Sequence, residues 1–280
     1  MTGADKRPGI LALLLGARLK KCREIAELSY DEAAARLGRK AEWLVRVETG
    51  FAVAGPKEVT DILVGYGMRE ARAADTMIDM ARRVASPPPW LAPHAARISA
   101  DLRDVLLVEA ETTLAQAHGF TLMPSLVQTE EYFRLIAPRL YPGCDVDQEW
   151  DLLTHRQAHR PAGVTRLLDV IIDESIFDRL LGHPRVAAGQ LRHLLAVADS
   201  AHATIRVIPN EAPLWEDRAH NFDILSFAGT DDRIGVVHTA IGTMLAHSDP
   251  YELWTLISEH SAADPDQSRA ILEERLAAVG

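Results

Sequence analysis

Residues 15–50 read LGARLKKCREIAELSYDEAAARLGRKAEWLVRVETG. Leu11, Leu15, Leu19, Cys22 and Ala26 recur at spacings of four, four, three and four, which is the buried stripe of an amphipathic helix. Lys20, Lys21 and Arg23 take the remaining positions. Ser29-Tyr30-Asp31-Glu32 is an S-x-x-E capping box, in which serine and glutamate satisfy each other's backbone N–H, and it opens a second helix. Ala33, Ala34 and Leu37 are small or apolar and allow close packing, and Gly38 accepts the left-handed backbone of a helix stop. A third helix is expected from Ala41 to Glu48, with Leu44 and Val47 inward and Gly50 closing it. Two short helices around a glycine turn make a helix-turn-helix pattern.

Downstream, Pro56 starts a fourth helix with Val59, Ile62 and Leu63 apolar. Residues 69–85 form a fifth, with Ala73, Met77, Met80, Ala81 and Val84 on one stripe. Ser86 to Pro93, SPPPWLAP, breaks the helical period, and consecutive prolines favour a stiff extended linker. The expected organisation is a helical domain over 1–85, a linker over 86–95 and a second domain over 96–280.

The second domain reads as mixed α/β (α+β) with about four or five strands. A helix is expected from Ile98 to Gln116, followed by a short apolar segment from Phe120 to Val127. Helices resume at 129–137 and 145–160. Leu167 to Ile172 reads as a strand buried on both faces, and Thr204 to Ile208 as a second strand after an intervening helix. Phe222 to Phe227 and Ile234 to His238 are two more, joined by Gly229 to Arg233 in a hairpin-type connection. Asp249-Pro250-Tyr251-Glu252 and Asp264-Pro265-Asp266-Gln267 each place Asp before Pro at a helix start.

Hydrophobic residues make up 48% and charged residues 25% of 280, the ordinary globular range, which excludes a disordered or collagen-like chain. Cys22 and Cys144 form no framework and suit a reducing, cytoplasmic setting. Ile10 to Leu15 is too short for a membrane span, and its basic residues follow it, unlike an export signal. The net charge of −10 argues at first against a nucleic-acid partner. Its distribution reverses that reading. Residues 1–50 carry ten basic and seven acidic groups, whereas residues 51–280 carry 20 basic and 33 acidic groups.

Residues 15–50 resemble the XRE (Cro and phage-repressor) class of helix-turn-helix domains. The resemblance rests on Leu15-Gly16 with Arg18-Leu19, Arg23, Leu28-Ser29, Glu32 with Ala34, Leu37-Gly38, and Val47-Glu48 before Gly50. It implies that Arg23 and Glu48 form a structural ion pair, with a phosphate contact as the alternative for Arg23. It places Tyr30, Ala41, Glu42 and Arg46 toward base edges, where Arg46 could read guanine and Glu42 could accept from a cytosine amino group. Arg18, Lys21, Arg36, Arg39 and Lys40 are the phosphate candidates. The chain departs from the class with Tyr at position 30, where Gln is usual, and Val at 45, where a polar residue is usual. Trp43 is bulky for a groove-facing helix and is a candidate protein contact.

Over nearly the whole length, the chain is also similar to the WhiJ-like, Scr-type actinobacterial regulators. The segments carrying this are VEAETTLAQAHGFTLMPSLVQTEEYFR, Arg156-Gln157, LLDVIIDESIF, QLRHLLAVADSAHATIRVIP, NFDILSF and IGVVHT. In the Pro124 to Tyr132 block, Ser125 stands where the group usually has Gly. This resemblance implies a DNA-binding regulator of double-stranded DNA, often encoded beside a small partner protein, with some members described as antitoxin-like. It implies no substrate and no cofactor.

Catalytic signatures are not readable. His155 and His159 stand at i, i+4, but H-R-Q-A-H lacks the glutamate of the metalloprotease motif, so no metal site is expected. There is no G-x-S-x-G elbow and no phosphate-binding glycine loop. Cys22 reads as an inert core thiol and Cys144 as a loop residue. The Pro209 to Asn221 loop carries Trp215, Arg218 and His220, either partner or ligand contacts or an ordinary surface loop. The expectation is a non-enzymatic, homodimeric transcriptional regulator whose second domain dimerises and receives a protein partner or a small-molecule effector, and the alternative is an antitoxin-like capture protein.

Overall fold

The computed structural model describes residues 8–68, 71–86, 88–158, 166–212, 220–227, 233–239, 242–246 and 250–279. The chain divides into two compact units, Met1–Val108 and Glu109–Gly280.

The first unit is helical: α1 (Ile10–Ile25), α2 (Tyr30–Leu37), α3 (Ala41–Glu48), α4 (Pro56–Gly65) and α5 (Ala71–Ala85). Ser29 caps α2 with the reciprocal bonds of the capping box, accepting from the Glu32 N–H while Glu32 accepts from the Ser29 N–H at 2.9 Å. Such a cap is worth about 1 kcal/mol. Gly38 ends α2 at φ +63°, a conformation that costs glycine least. Leu19, Leu44, Val59 and Ile62 are almost fully enclosed, so the apolar stripes of α1, α3 and α4 all turn inward. Gly16 lets α1 and α3 touch: a Cβ there would lie 2.5 Å from the Glu48 carbonyl oxygen.

The proline-rich stretch does not run as an extended linker. Pro89–His94 winds into a 3₁₀ helix whose Leu91 is buried, a placement that an extended segment in water could not give it. The division into compact units falls between Val108 and Glu109, downstream of the expected linker over 86–95.

The helix expected over 98–116 is two elements, one on each side of this division. α6 (Ala100–Glu109) stops short, and β1 (Leu114–Gly119) follows as a strand. Among the described residues six strands form one sheet, more than the four or five expected. They are β1, β2 (Leu167–Asp173), β3 (Ala203–Ile208), β4 (Asn221–Ser226), β5 (Arg233–Thr239) and β6 (Gly242–Leu245), in the order β3-β2-β1-β4-β5-β6. β1 pairs parallel with β2 and antiparallel with β4, so the missed strand is the junction of the sheet.

The remaining helices are α7 (Glu130–Leu140), α8 (Val146–Ala158), α9 (Ser175–Asp178), α10 (Pro184–Ala198), α11 (Tyr251–His260) and α12 (Pro265–Val279). Period-two alternation splits the sheet residues between two faces. Val170, Ile172, Ile205 and Val207 pack with Leu191 and Leu194 of α10 and Leu272 of α12. Ile171, Phe222 and Ile224 pack with Trp254 and Ile257 of α11. Asp264 accepts from the Gln267 N–H at the start of α12, whereas α11 begins at Tyr251 after Pro250 and its expected cap, Asp249, lies outside the described residues. The Gly229 to Asp232 part of the hairpin connection is also outside them.

Candidate nucleic-acid interface

The helix-turn-helix of α2 and α3 is held to α1 by a buried charge pair. Arg23 donates through Nε and Nη2 to the Glu48 carboxylate at 3.0 Å, and through Nη1 to the Leu28 carbonyl at 2.8 Å. The Glu48 side chain is fully buried, and the Tyr66 hydroxyl donates to it at 2.7 Å. Burial pushes the Tyr66 phenol above its ordinary range, and the Glu48 carboxylate adds to the shift. Arg23 therefore spends its donors inside the domain.

Tyr30, expected at base edges, has its ring 3.9 Å from the Arg23 guanidinium carbon. Burial first, then Glu48, holds its phenol above the ordinary range. Cation and ring attract each other, which draws Tyr30 back into the α1–α3 lock. Arg18, expected at phosphate, is buried, and its Nη1 donates to Met80 Sδ at 3.0 Å.

The other candidates lie on the surface. Glu42, Arg46, Lys40 and Lys21 are exposed, and Ala41 is half-buried at the first turn of α3. Arg46 donates weakly to the Phe51 carbonyl at 3.4 Å. Lys40 is the N-cap of α3 and leaves the first N–H groups of that helix without a side-chain acceptor. Such a helix end favours an anion. Arg36 donates to the Gly65 carbonyl at 3.2 Å. Arg39 pairs with Glu58 at 3.0 Å and stands over the Trp43 ring at 4.8 Å, so Trp43 has a cation as its neighbour within the domain.

The second unit gathers residues that sequence reasoning left scattered. Glu109, at the end of α6, receives Arg156 of α8 at 2.8 Å, and Arg156 also donates to the Ser125 hydroxyl at 3.2 Å. Arg166 donates to the Arg156 carbonyl at 2.9 Å. Gln157 donates to the carbonyls of Ser125 and Gln128, both at 2.9 Å. Burial opposes the Arg156 charge, but Glu109 outweighs it and keeps the guanidinium ionised. On the sheet, His238 lies 2.8 Å from the Asp223 carboxylate. The signal for this cluster was the Arg156-Gln157 dipeptide, noted only as part of a resemblance. Spacing alone gives no way to pair it with Glu109.

Of the loop candidates, His220 is exposed, and its carbonyl accepts from His118 Nδ1 at 2.9 Å. Trp215 and Arg218 lie outside the described residues, as does His159.

These features define a class: a helix-turn-helix DNA-binding module joined to a mixed α/β unit. Residues 14–75 match a helix-turn-helix domain family. The chain belongs to the family described as a domain of unknown function (DUF5753), which matches residues 102–274. No curated protein and no solved structure matches it. Among the described residues no helix is long and apolar enough to cross a membrane.

Proposed function

We propose that this chain is a cytoplasmic, sequence-specific transcriptional regulator of the XRE type that binds operator DNA as a homodimer. The observation that carries the reading is α3, held by the Arg23–Glu48 lock with Lys40 at its N-cap and Glu42 and Arg46 exposed. A recognition helix presents its N-terminal residues to the major groove, and one such helix reads too few base pairs alone, so paired half-sites follow. The acidic second unit receives a protein partner or a small effector and alters DNA affinity. The reading assigns it no catalytic step and no cofactor. Selection of bound sequences from a random duplex pool, followed by gel shift across a salt series, tests it. Enriched half-sites and a steep salt dependence are expected. Binding that shows no sequence preference at any salt removes the operator role.

A second reading, an antitoxin-like protein that captures a small co-encoded partner, is favoured by one observation. Arg39 is held by Glu58 and Trp43, and Val45, Phe51 and Val53 beside it are exposed. Co-purification with the neighbouring small protein tests that role, and an inert pairing assay counts against it.

A further inference from the structure

Between α7 and the segment joining α9 to α10, the second unit holds a cavity of about 160 Å³. Tyr132, Ile176 and Leu180 are buried in its lining, with Leu135 and Ile136 beside them. The Tyr132 hydroxyl already accepts from the Met123 N–H at 3.0 Å, which ties its polar end to the backbone. Three basic side chains, Arg139, Arg179 and His183, line the same cavity and are exposed.

That local charge runs against its surroundings. Over residues 51–280 acidic groups outnumber basic ones 33 to 20. Arg134, Arg206 and Arg275 each hold a carboxylate. Among the described residues no acidic side chain pairs with Arg139, Arg179 or His183. Arg179 is positioned by donating Nη1 to the Phe120 carbonyl at 3.0 Å and more weakly to that of Thr121, which leaves Nε and Nη2 outside those bonds. An apolar lining with cations beside it matches a ligand that is greasy at one end and anionic at the other.

We propose that the cavity binds a short aliphatic chain ending in a carboxylate. A void of roughly 150 Å³ accommodates a benzene-sized group, so the aliphatic part has roughly five or six heavy atoms. The guanidinium fork suits a planar carboxylate, and Arg139 and Arg179 supply two. The chemistry has two sources: a free aliphatic acid, or the C-terminal leucine or isoleucine of a protein chain. The proposal deepens the sensing role of the second unit and takes its biological meaning from that reading.

The full-length chain is titrated by NMR with 4-methylpentanoate and with a short peptide ending in leucine. Each is compared with its neutral counterpart, 4-methylpentan-1-ol or the C-terminally amidated peptide. Saturable binding of one acid is expected, weakened ~10-fold or more by neutralising the carboxylate. A similar loss is expected in Arg139→Gln, with its thermal midpoint unchanged, and in Arg179→Gln. Arg139→Gln decides the matter, because Arg179 also holds backbone carbonyls. Preference for the free acid assigns a small effector, and preference for the peptide assigns a protein terminus. No saturable binding of either acid, equal binding of the neutral counterparts, or wild-type binding by Arg139→Gln overturns the proposal. DNA binding is read separately by gel shift, so loss of the operator reading leaves this result standing.

Discussion

Arg23 of α1 and Glu48 at the end of α3 stand 25 residues apart and meet through parallel N–H···O bonds in a site closed to water. The pair fixes the orientation of the helix that carries Arg46 and Glu42. Taking away one buried partner leaves the other charge without compensation. Glu48→Gln is expected to lose about 3–5 kcal/mol in urea denaturation of the N-terminal transition, and Arg23→Lys, which keeps the charge, a smaller part of it. Lysine cannot reproduce the fork. Unchanged stability with a shallower salt slope of DNA binding would instead make Arg23 a phosphate ligand.

Gly16→Ala places a methyl group 2.5 Å from the Glu48 carbonyl oxygen, a main-chain atom that cannot swing aside. The helices must separate, at a cost of about 1–3 kcal/mol. Thermal denaturation checks this, and a stability equal to wild type would mean that α1 and α3 are further apart than described.

Arg46→Ala and Lys40→Ala should differ in kind. Loss of Arg46 is expected to reduce discrimination at one base pair by about 1–3 kcal/mol. Loss of Lys40 is expected to weaken binding to all sequences alike and to flatten the salt slope. Competition gel shifts with single-base operator variants separate the two, and an unaltered preference removes Arg46 from the base-reading set.

Arg156→Met leaves Glu109 buried with Arg166 3.6 Å away. A loss of about 3 kcal/mol is expected in the C-terminal transition. Adding Glu109→Gln should recover part of it, the signature of direct coupling. Strict additivity of the two changes would place them in separate environments.

Burial holds the His193 imidazole below its ordinary value of 6.5. The unfolded chain therefore takes up this proton first as pH falls. The contribution of neutral His193 is complete above pH about 6.5 and declines below it. His193→Gln should flatten the stability profile below about pH 6.5. A profile that keeps the wild-type slope would assign the effect elsewhere.

The N-terminal helices were legible because their signals are local. Capping box, glycine stop and apolar stripe all lie within a few residues of the structure they make. β1 was not. Its sequence LAQAHG has no β-branched residue, and Leu114 continued the helical spacing of α6. What makes it a strand is remote: β2 on one side and β4 on the other. The same distinction separates the site residues. Arg23 and Glu48 could be paired through a resemblance. The burial of Arg18 depends on Met80, 62 residues away, and the contact of Tyr30 on the position of its ring beneath Arg23. Arg139 and Arg179 gave no signal, because neither α7 nor α9 shows in sequence that a cavity lies beside it.

The position of β1 also sets an order of events during synthesis. β1 emerges from the ribosome about a hundred residues before β4, its antiparallel neighbour, and Asn221 of β4 supplies the acceptor for the N–H groups of Phe120 and Thr121. The first unit closes through contacts of short sequence separation and folds early, as low contact order dictates. While the sheet is still half made, the nascent chain therefore already carries a finished reading head. For that interval the helix-turn-helix stands complete beside a sheet that still lacks β4, β5 and β6.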